Sequence, residues 1–241
     1  LRQQDPKHNL IITHWDGGLL ADFNFFDEAW FDFYPVTWLP LLTEMRPYLT
    51  RCVQMLAPKP VRFVPQAFMG GAGMRKPGKA YGARFPTPAE LRLMVYQCLG
   101  YGLKGVIYFA YSIEPREPVY GVGLTKFGPE TKGDKRLNAQ QVAQAKRLWQ
   151  GMKRLNAELK ALGPILMSGA PLPLAQCENK KVQVHTVVSA SGKVVLFALN
   201  LDFTYGHESF AAHPQKNVVI TVTVPSWGSV SRAYEFAGET K

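Results

Sequence analysis

Three carboxylates, Asp16, Asp32 and Glu114, each fall at or just past the end of an apolar, β-rich segment, and each has an aromatic neighbour close in the chain. Asp16 follows His14 and Trp15, Asp32 precedes Tyr34, and Glu114 follows Tyr111 and Ser112. A further segment, Val61 to Val64, ends in Gln66 and Phe68. Carboxyl groups at such positions serve as acid, base or nucleophile in the cleavage of glycosidic bonds. Aromatic faces stack on pyranose rings, while an amide or an imidazole bonds to hydroxyls. The set is an inventory for chemistry on a carbohydrate. Asp32, Glu114 and Asp16 are the catalytic candidates, and His14, Trp15, Tyr34, Gln66, Phe68 and Tyr111 are the substrate-binding ones.

Other chemistries find less support. His185, His207 and His213 lack metal-ligand spacing, and no metal is expected. Gly70-Gly71-Ala72-Gly73 with Arg75 and Lys76 has the composition of a phosphate cradle, but no helix starts directly after it, and it reads as a loop. No cofactor is expected. There is no G-x-S-x-G elbow; Ser112, with His14 as a partner, leaves an ester hydrolase as an alternative.

The elements that must position these groups are well punctuated between Arg62 and Tyr111. A β-rich run stops at Gly70-Gly71, and Thr87-Pro88-Ala89-Glu90 then opens a helix with an N-cap, a proline at the first position and a capping-box glutamate. Leu91, Met94, Val95, Cys98 and Leu99 give that helix one apolar face, and Gly100 and Gly102 end it. Val106 to Tyr111 reads as a strand buried on both sides. Upstream, two strands are expected at His8 to His14 and Ala29 to Tyr34, then a helix over Thr37 to Leu56 that Pro47 kinks or splits. The longest helix is expected from Ala139 to Leu162, stopped by Gly163-Pro164. Alternating strands follow at Val182 to Val188, Val194 to Asn200 and Val218 to Val224, with Ser191-Gly192 as a hairpin turn.

Three groups of residues carry a resemblance. Pro65-Gln66-Ala67-Phe68, Arg84 to Arg92 and Gly102 to Phe109 resemble the last two βα units of a TIM-barrel glycoside hydrolase. Asp32-Phe33-Tyr34-Pro35 is similar to the ending of an earlier barrel strand, and Leu155 to Leu162 resembles the final barrel helix. The resemblance implies an α/β fold: a partial (half) TIM barrel of about four βα units over residues 1–165, followed by a small antiparallel β-sandwich over residues 166–241. It implies glycosidic-bond hydrolysis, with Gln66 standing where the family has its nucleophilic glutamate. An amide cannot ionise or attack an anomeric carbon, so a non-catalytic carbohydrate-binding protein is the alternative. A half-barrel that begins at Leu1 would leave two raw sheet edges, which implies self-association, with two copies completing a barrel.

With 241 residues, 46% of them apolar, the chain has enough hydrophobic surface for a sizeable core. No apolar run is long enough for a membrane span. The formal charge of +10 is spread through loops, at Arg75, Lys76, Lys79 and Arg84, and along the solvent side of the 139–162 helix. No nucleic-acid-binding signature accompanies it, so no nucleic-acid partner is expected, whereas a basic rim suits acidic sugars. Cys52, Cys98 and Cys177 read as buried thiols rather than a disulfide framework.

Overall fold

The computed structural model describes residues 3–14, 25–36, 45–69, 84–110, 124, 138–205, 210–226, 228–233 and 235–236. Strands β1 (Ile11–His14), β2 (Glu28–Phe33) and β3 (Val61–Pro65) run parallel and lie side by side in chain order. Residues 104–109 add a fourth parallel lane beside β3. There Val106 bridges Phe63 and Phe109 bridges Gln66, and the Lys104, Ile107 and Phe109 amides donate to the Val61, Phe63 and Pro65 carbonyls at 2.7, 2.9 and 3.1 Å. Parallel neighbours need crossover connections, and α1 (Met45–Leu56) and α2 (Pro88–Gly100) supply helices for two of them. The chain is thus a mixed α/β protein.

Helix α2 begins as its sequence dictates. Thr87 Oγ1 accepts from the Glu90 amide at 3.1 Å, the Glu90 carboxylate accepts from the Thr87 amide at 2.7 Å, and Pro88 opens the first turn. Its expected apolar face, Leu91, Met94, Val95, Cys98 and Leu99, is buried, and Gly102, at φ +96°, turns the chain out of the helix. In α1, Met45, Leu49, Cys52 and Leu56 are buried, and the helix continues unbroken after Pro47. The expected stretch 37–44 of that helix lies outside the described residues. Cys177 is half-buried rather than buried, because its short strand has solvent on one side.

The third helix, α3 (Ala139–Ser168), lies beside α2 and runs in the same direction: Gly151 meets Pro88, and seven residues on Glu158 meets Arg92. A Cβ at Gly151 would stand 2.6 Å from that of Pro88, so the close approach of the two helices requires a glycine there. Against the strands α3 runs the opposite way. Lys104, at the start of the fourth lane, donates to the Leu166 and Gly169 carbonyls near the helix end, whereas Tyr108 donates to Asn156 mid-helix. The N-terminal end of α3 therefore points toward the strands' C-terminal ends.

Gly163-Pro164 does not stop α3, which continues to Ser168. Proline removes one helix hydrogen bond, but Leu162 and Leu166 lie on the core side of adjoining turns and both are buried. The Lys104 ammonium bonds the Leu166 and Gly169 carbonyls at the helix end, where the Leu166 carbonyl also accepts from the Gly169 amide. Packing outweighs the local breaker, and the helix crosses the residue 165/166 boundary without interruption.

Beyond α3 every described strand is antiparallel to its partner. The sheets are β4 (Ala170–Pro171) with β6 (Val182–Val188) and β7 (Val194–Asn200), β5 (Ala175–Cys177) with β10 (Ile220–Val222), and β8 (Phe203–Tyr205) with β9 (Phe210–Ala212). The β6–β7 hairpin closes where the sequence indicates, with Gly192 at φ +77° and the Ser189 amide bonded to the Lys193 carbonyl at 2.8 Å. The strand expected at Val218 to Val224 shortens to Ile220–Val222, because only its middle pairs with β5.

This region shares its core with the helices. Val187, Phe197 and Leu199 join the same buried cluster as Leu91, Leu148 and Leu155. Tyr96 packs on Phe197 with ring centroids 5.4 Å apart, and Tyr101 packs on His185 at 4.6 Å. Gly100 makes room for that imidazole, since a Cβ there would come within 2.8 Å of it. Burial, with a smaller contribution from the Arg46 charge, lowers the His185 pKa to about 4, and its Nε2 is buried without a hydrogen-bond partner.

A histidine held neutral in the fold makes stability pH-dependent. The unfolded chain takes up a proton near the ordinary 6.5, the folded one only near 4, so stability is lost as pH falls through that window. Solvent screening reduces the full linkage to about 1–2 kcal/mol. Urea unfolding at pH 7 and pH 4.5 is expected to show this loss in the wild type and a smaller one in His185→Phe. Equal losses in both proteins would show that His185 is not responsible.

The fourth lane is not buried on both sides as its apolar sequence suggests. Phe109 is 45% exposed, and across the sheet Ile11 of β1 is 48% exposed. The cause is position: among the described residues, no strand pairs with the outer side of either lane.

Candidate functional site

Alternation along β2 sends Ala29, Phe31 and Phe33 into the core and leaves Trp30, Asp32 and Tyr34 on the other, half-buried face. The pairing of Phe33 with Pro65 makes Tyr34 level with Gln66, and Gln66 is level with Phe109. Three strand ends therefore bring Tyr34, Gln66 and Phe109 into one row.

The two rings of that row lean over the amide between them. Tyr34 and Phe109 stack with centroids 5.7 Å apart and planes 20° apart, and Phe68 meets both edge-on, at 5.2 and 5.7 Å. Beneath them Gln66 is fully buried; its Oε1 accepts from the Val36 amide at 3.0 Å and its Nε2 donates to the Phe68 carbonyl at 3.2 Å. The Gln66 side chain thus fixes two loop backbones under the aromatic rings. Phe68 is buried, so the face offered outward belongs to Phe109 and Tyr34.

Asp32 stands next to this platform, and the Tyr34 hydroxyl donates to its Oδ2 at 3.2 Å. Burial raises the Asp32 pKa above the ordinary carboxyl value, against the Tyr34 hydrogen bond and the charge of His14, which lower it. The Tyr34 hydroxyl is pushed up in turn, first by burial and then by the Asp32 charge. The result is a carboxyl group biased toward its protonated form, with a phenol locked as donor to it. His14 ends β1, close enough for its charge to act on Asp32.

The chain matches no family model and no curated protein. What the site can do rests on its own geometry.

Of the residues singled out in the sequence, Asp32, Tyr34, Gln66 and Phe68 come together, with His14 nearby, while Trp15, Asp16, Tyr111, Ser112 and Glu114 lie outside the described residues. Glu28 is the other carboxylate on the same face of β2. It lies four residues earlier, ~13 Å along the strand, and is held by Arg62, with Nε 2.5 Å from Oε1, and by the Trp30 indole. Paired glycosidase carboxylates stand ~5–9.5 Å apart, so Glu28 does not partner Asp32. Phe109 was missed in the sequence reading. Its segment alone carries no signal for this; the pairing of its lane with Gln66 places it over the amide instead of in the core. Among the described residues, no group of three histidine, cysteine or acidic side chains could hold a metal. No helix among them is long and apolar enough to cross a membrane.

Proposed function

We propose that the four parallel lanes and their helices are half of a (β/α) barrel of the glycoside hydrolase type, and that the strand-end platform binds a carbohydrate and cleaves its glycosidic bond. The antiparallel strands after α3 are then its β-sandwich. The observation that carries the reading is Asp32: a carboxyl group with a raised pKa, hydrogen-bonded to Tyr34, beside aromatic rings suited to a pyranose face. Asp32 has the properties of a general acid, and Glu114 or Asp16 is the second carboxylate. The test is turnover of aryl glycosides by the wild type, Asp32→Asn and Glu114→Gln; undiminished turnover in both variants would remove the assignment.

A second reading is favoured by Gln66. With its amide spent on the backbone, the family's nucleophile is missing and the platform serves binding alone. Sugar binding without turnover in the wild type is its expected signature.

Among the described residues, no strand pairs with the outer sides of β1 and the fourth lane, so both are candidates to pair with another strand. Two copies are expected to associate through them. Light scattering at micromolar concentration is expected to give the mass of a dimer, and a strict monomer would count against this assembly.

A further inference from the structure

Every exposed charge on α3 is positive. Lys146, Arg147, Lys153, Arg154 and Lys160 are all exposed, and the one carboxylate of the helix, Glu158, is 7% exposed and held by Arg92 and Tyr96. Among the described residues, no carboxylate lies within ion-pair distance of any of the five. A helix face built only for solubility ordinarily mixes signs through i,i+4 pairs. This one carries no such pair.

The arrangement is regular. Lys146, Lys153 and Lys160 recur every seven residues, ~10.5 Å apart along one line, and Arg147 and Arg154 form a second line beside it. The Trp149 ring lies next to Lys153, whose Nζ is 5.7 Å from its centroid. At the N-terminal end of α3 a cavity of about 230 Å³ is lined by Gln140, Gln144, Arg147, Pro88 and Phe210 among others. Gln144 Oε1 is buried with no hydrogen-bond partner among the described residues.

We propose that the outward face of α3 and the cavity at its N-terminal end bind an acidic polysaccharide, one that carries a carboxylate or sulfate on every one or two sugar units. The charge density selects this polymer class. Five cations over Lys146 to Lys160, ~21 Å, amount to one per ~4 Å, whereas duplex DNA carries one phosphate per ~1.7 Å. A repeat of two pyranose rings matches the seven-residue spacing, and the cavity, lined by Gln140, Gln144 and Arg147, has room for one ring. Because the N-terminal end of α3 points toward the strand exits, a chain bound along it leads to the platform of Tyr34 and Phe109. The inference deepens the carbohydrate reading of that platform and rests on it for the polymer class.

The experiment is affinity electrophoresis of the full chain at 50 and 200 mM salt against polygalacturonate, heparin, a neutral β-glucan and duplex DNA. It compares the wild type with the Lys146→Gln/Lys153→Gln/Lys160→Gln triple variant, whose three sites are all exposed. Polygalacturonate or heparin is expected to bind more tightly than the glucan or DNA, to weaken as salt rises, and to lose at least tenfold in the triple variant. The preferred polyanion distinguishes carboxylate from sulfate. Tighter binding of DNA, equal binding of the neutral glucan, or an unaffected triple variant would each overturn the proposal. Binding is read without turnover, so an inactive platform and a non-binding helix are separate results.

Discussion

Arg84→Met is expected to lower the unfolding free energy by about 3–5 kcal/mol, the cost of removing one partner from a buried ion pair. Arg84 and Glu90 are only 4% and 0% exposed, and they meet through two parallel bonds, Nη1 to Oε2 at 2.7 Å and Nη2 to Oε1 at 2.6 Å. The methionine fills most of the space but leaves a carboxylate in the core with, among the described residues, only the Thr87 amide to bond it. Glu90 also closes the capping box of α2, so the damage extends to the start of a helix that packs on β3, α3 and the β6–β7 hairpin. The double variant Arg84→Met/Glu90→Met is expected to recover part of the loss. It removes the orphaned charge, yet leaves the Thr87 amide uncapped, at about 1 kcal/mol. Urea unfolding of the three proteins measures both steps. A single variant within about 1 kcal/mol of the wild type would mean that the pair does not hold α2 in place.

The same pair shows where sequence reasoning ends. Thr87, Pro88 and Glu90 announce a helix start because every bond of a capping box lies within four residues, and the structure has each of them. Arg84 was grouped with the loop cations of a basic rim, and the structure instead buries it. Glu90 already had a local role, and nothing in the chain signals that its second oxygen is also engaged. Pro164 is the converse case. The helix stop expected at Gly163-Pro164 does not occur, because the fate of α3 depends on burial of Leu162 and Leu166 and on Lys104, 62 residues before Leu166. The hairpin at Gly192 was legible in full, since alternation and a turn residue both act locally.

The site divides along the same line. Asp32 and Tyr34 are two apart on one strand, so their common face follows from the pleat alone. Gln66, read as an amide for sugar hydroxyls, is instead enclosed by Tyr34 and Phe109 from the strands on either side. Its burial follows from the alignment of three lanes, which no single segment specifies. That enclosure supplies the platform: the amide ties Val36 to Phe68, and the rings above it acquire a fixed base.

Asp32→Asn is expected to reduce aryl glycoside turnover by ~10²–10⁴-fold, the usual contribution of a general acid, while the protein becomes no less stable at neutral pH. The two effects share one cause. Burial raises the Asp32 pKa above its unfolded value, so the stability it contributes is fully present only below the unfolded pKa and is lost as pH rises through the folded one. The ionised form is the one that burial disfavours, and asparagine, which cannot ionise, removes that cost while still accepting from the Tyr34 hydroxyl. A residue kept only for structure would show the reverse pattern, with stability lost on substitution. The pH profile gives an independent check: wild-type turnover is expected to fall on the alkaline side as Asp32 ionises. Tyr34→Phe, which deletes the one hydrogen bond that lowers the Asp32 pKa, is expected to move that limb to higher pH. An alkaline limb unmoved by Tyr34→Phe, or an Asp32→Asn variant with normal turnover, would place the catalytic acid elsewhere.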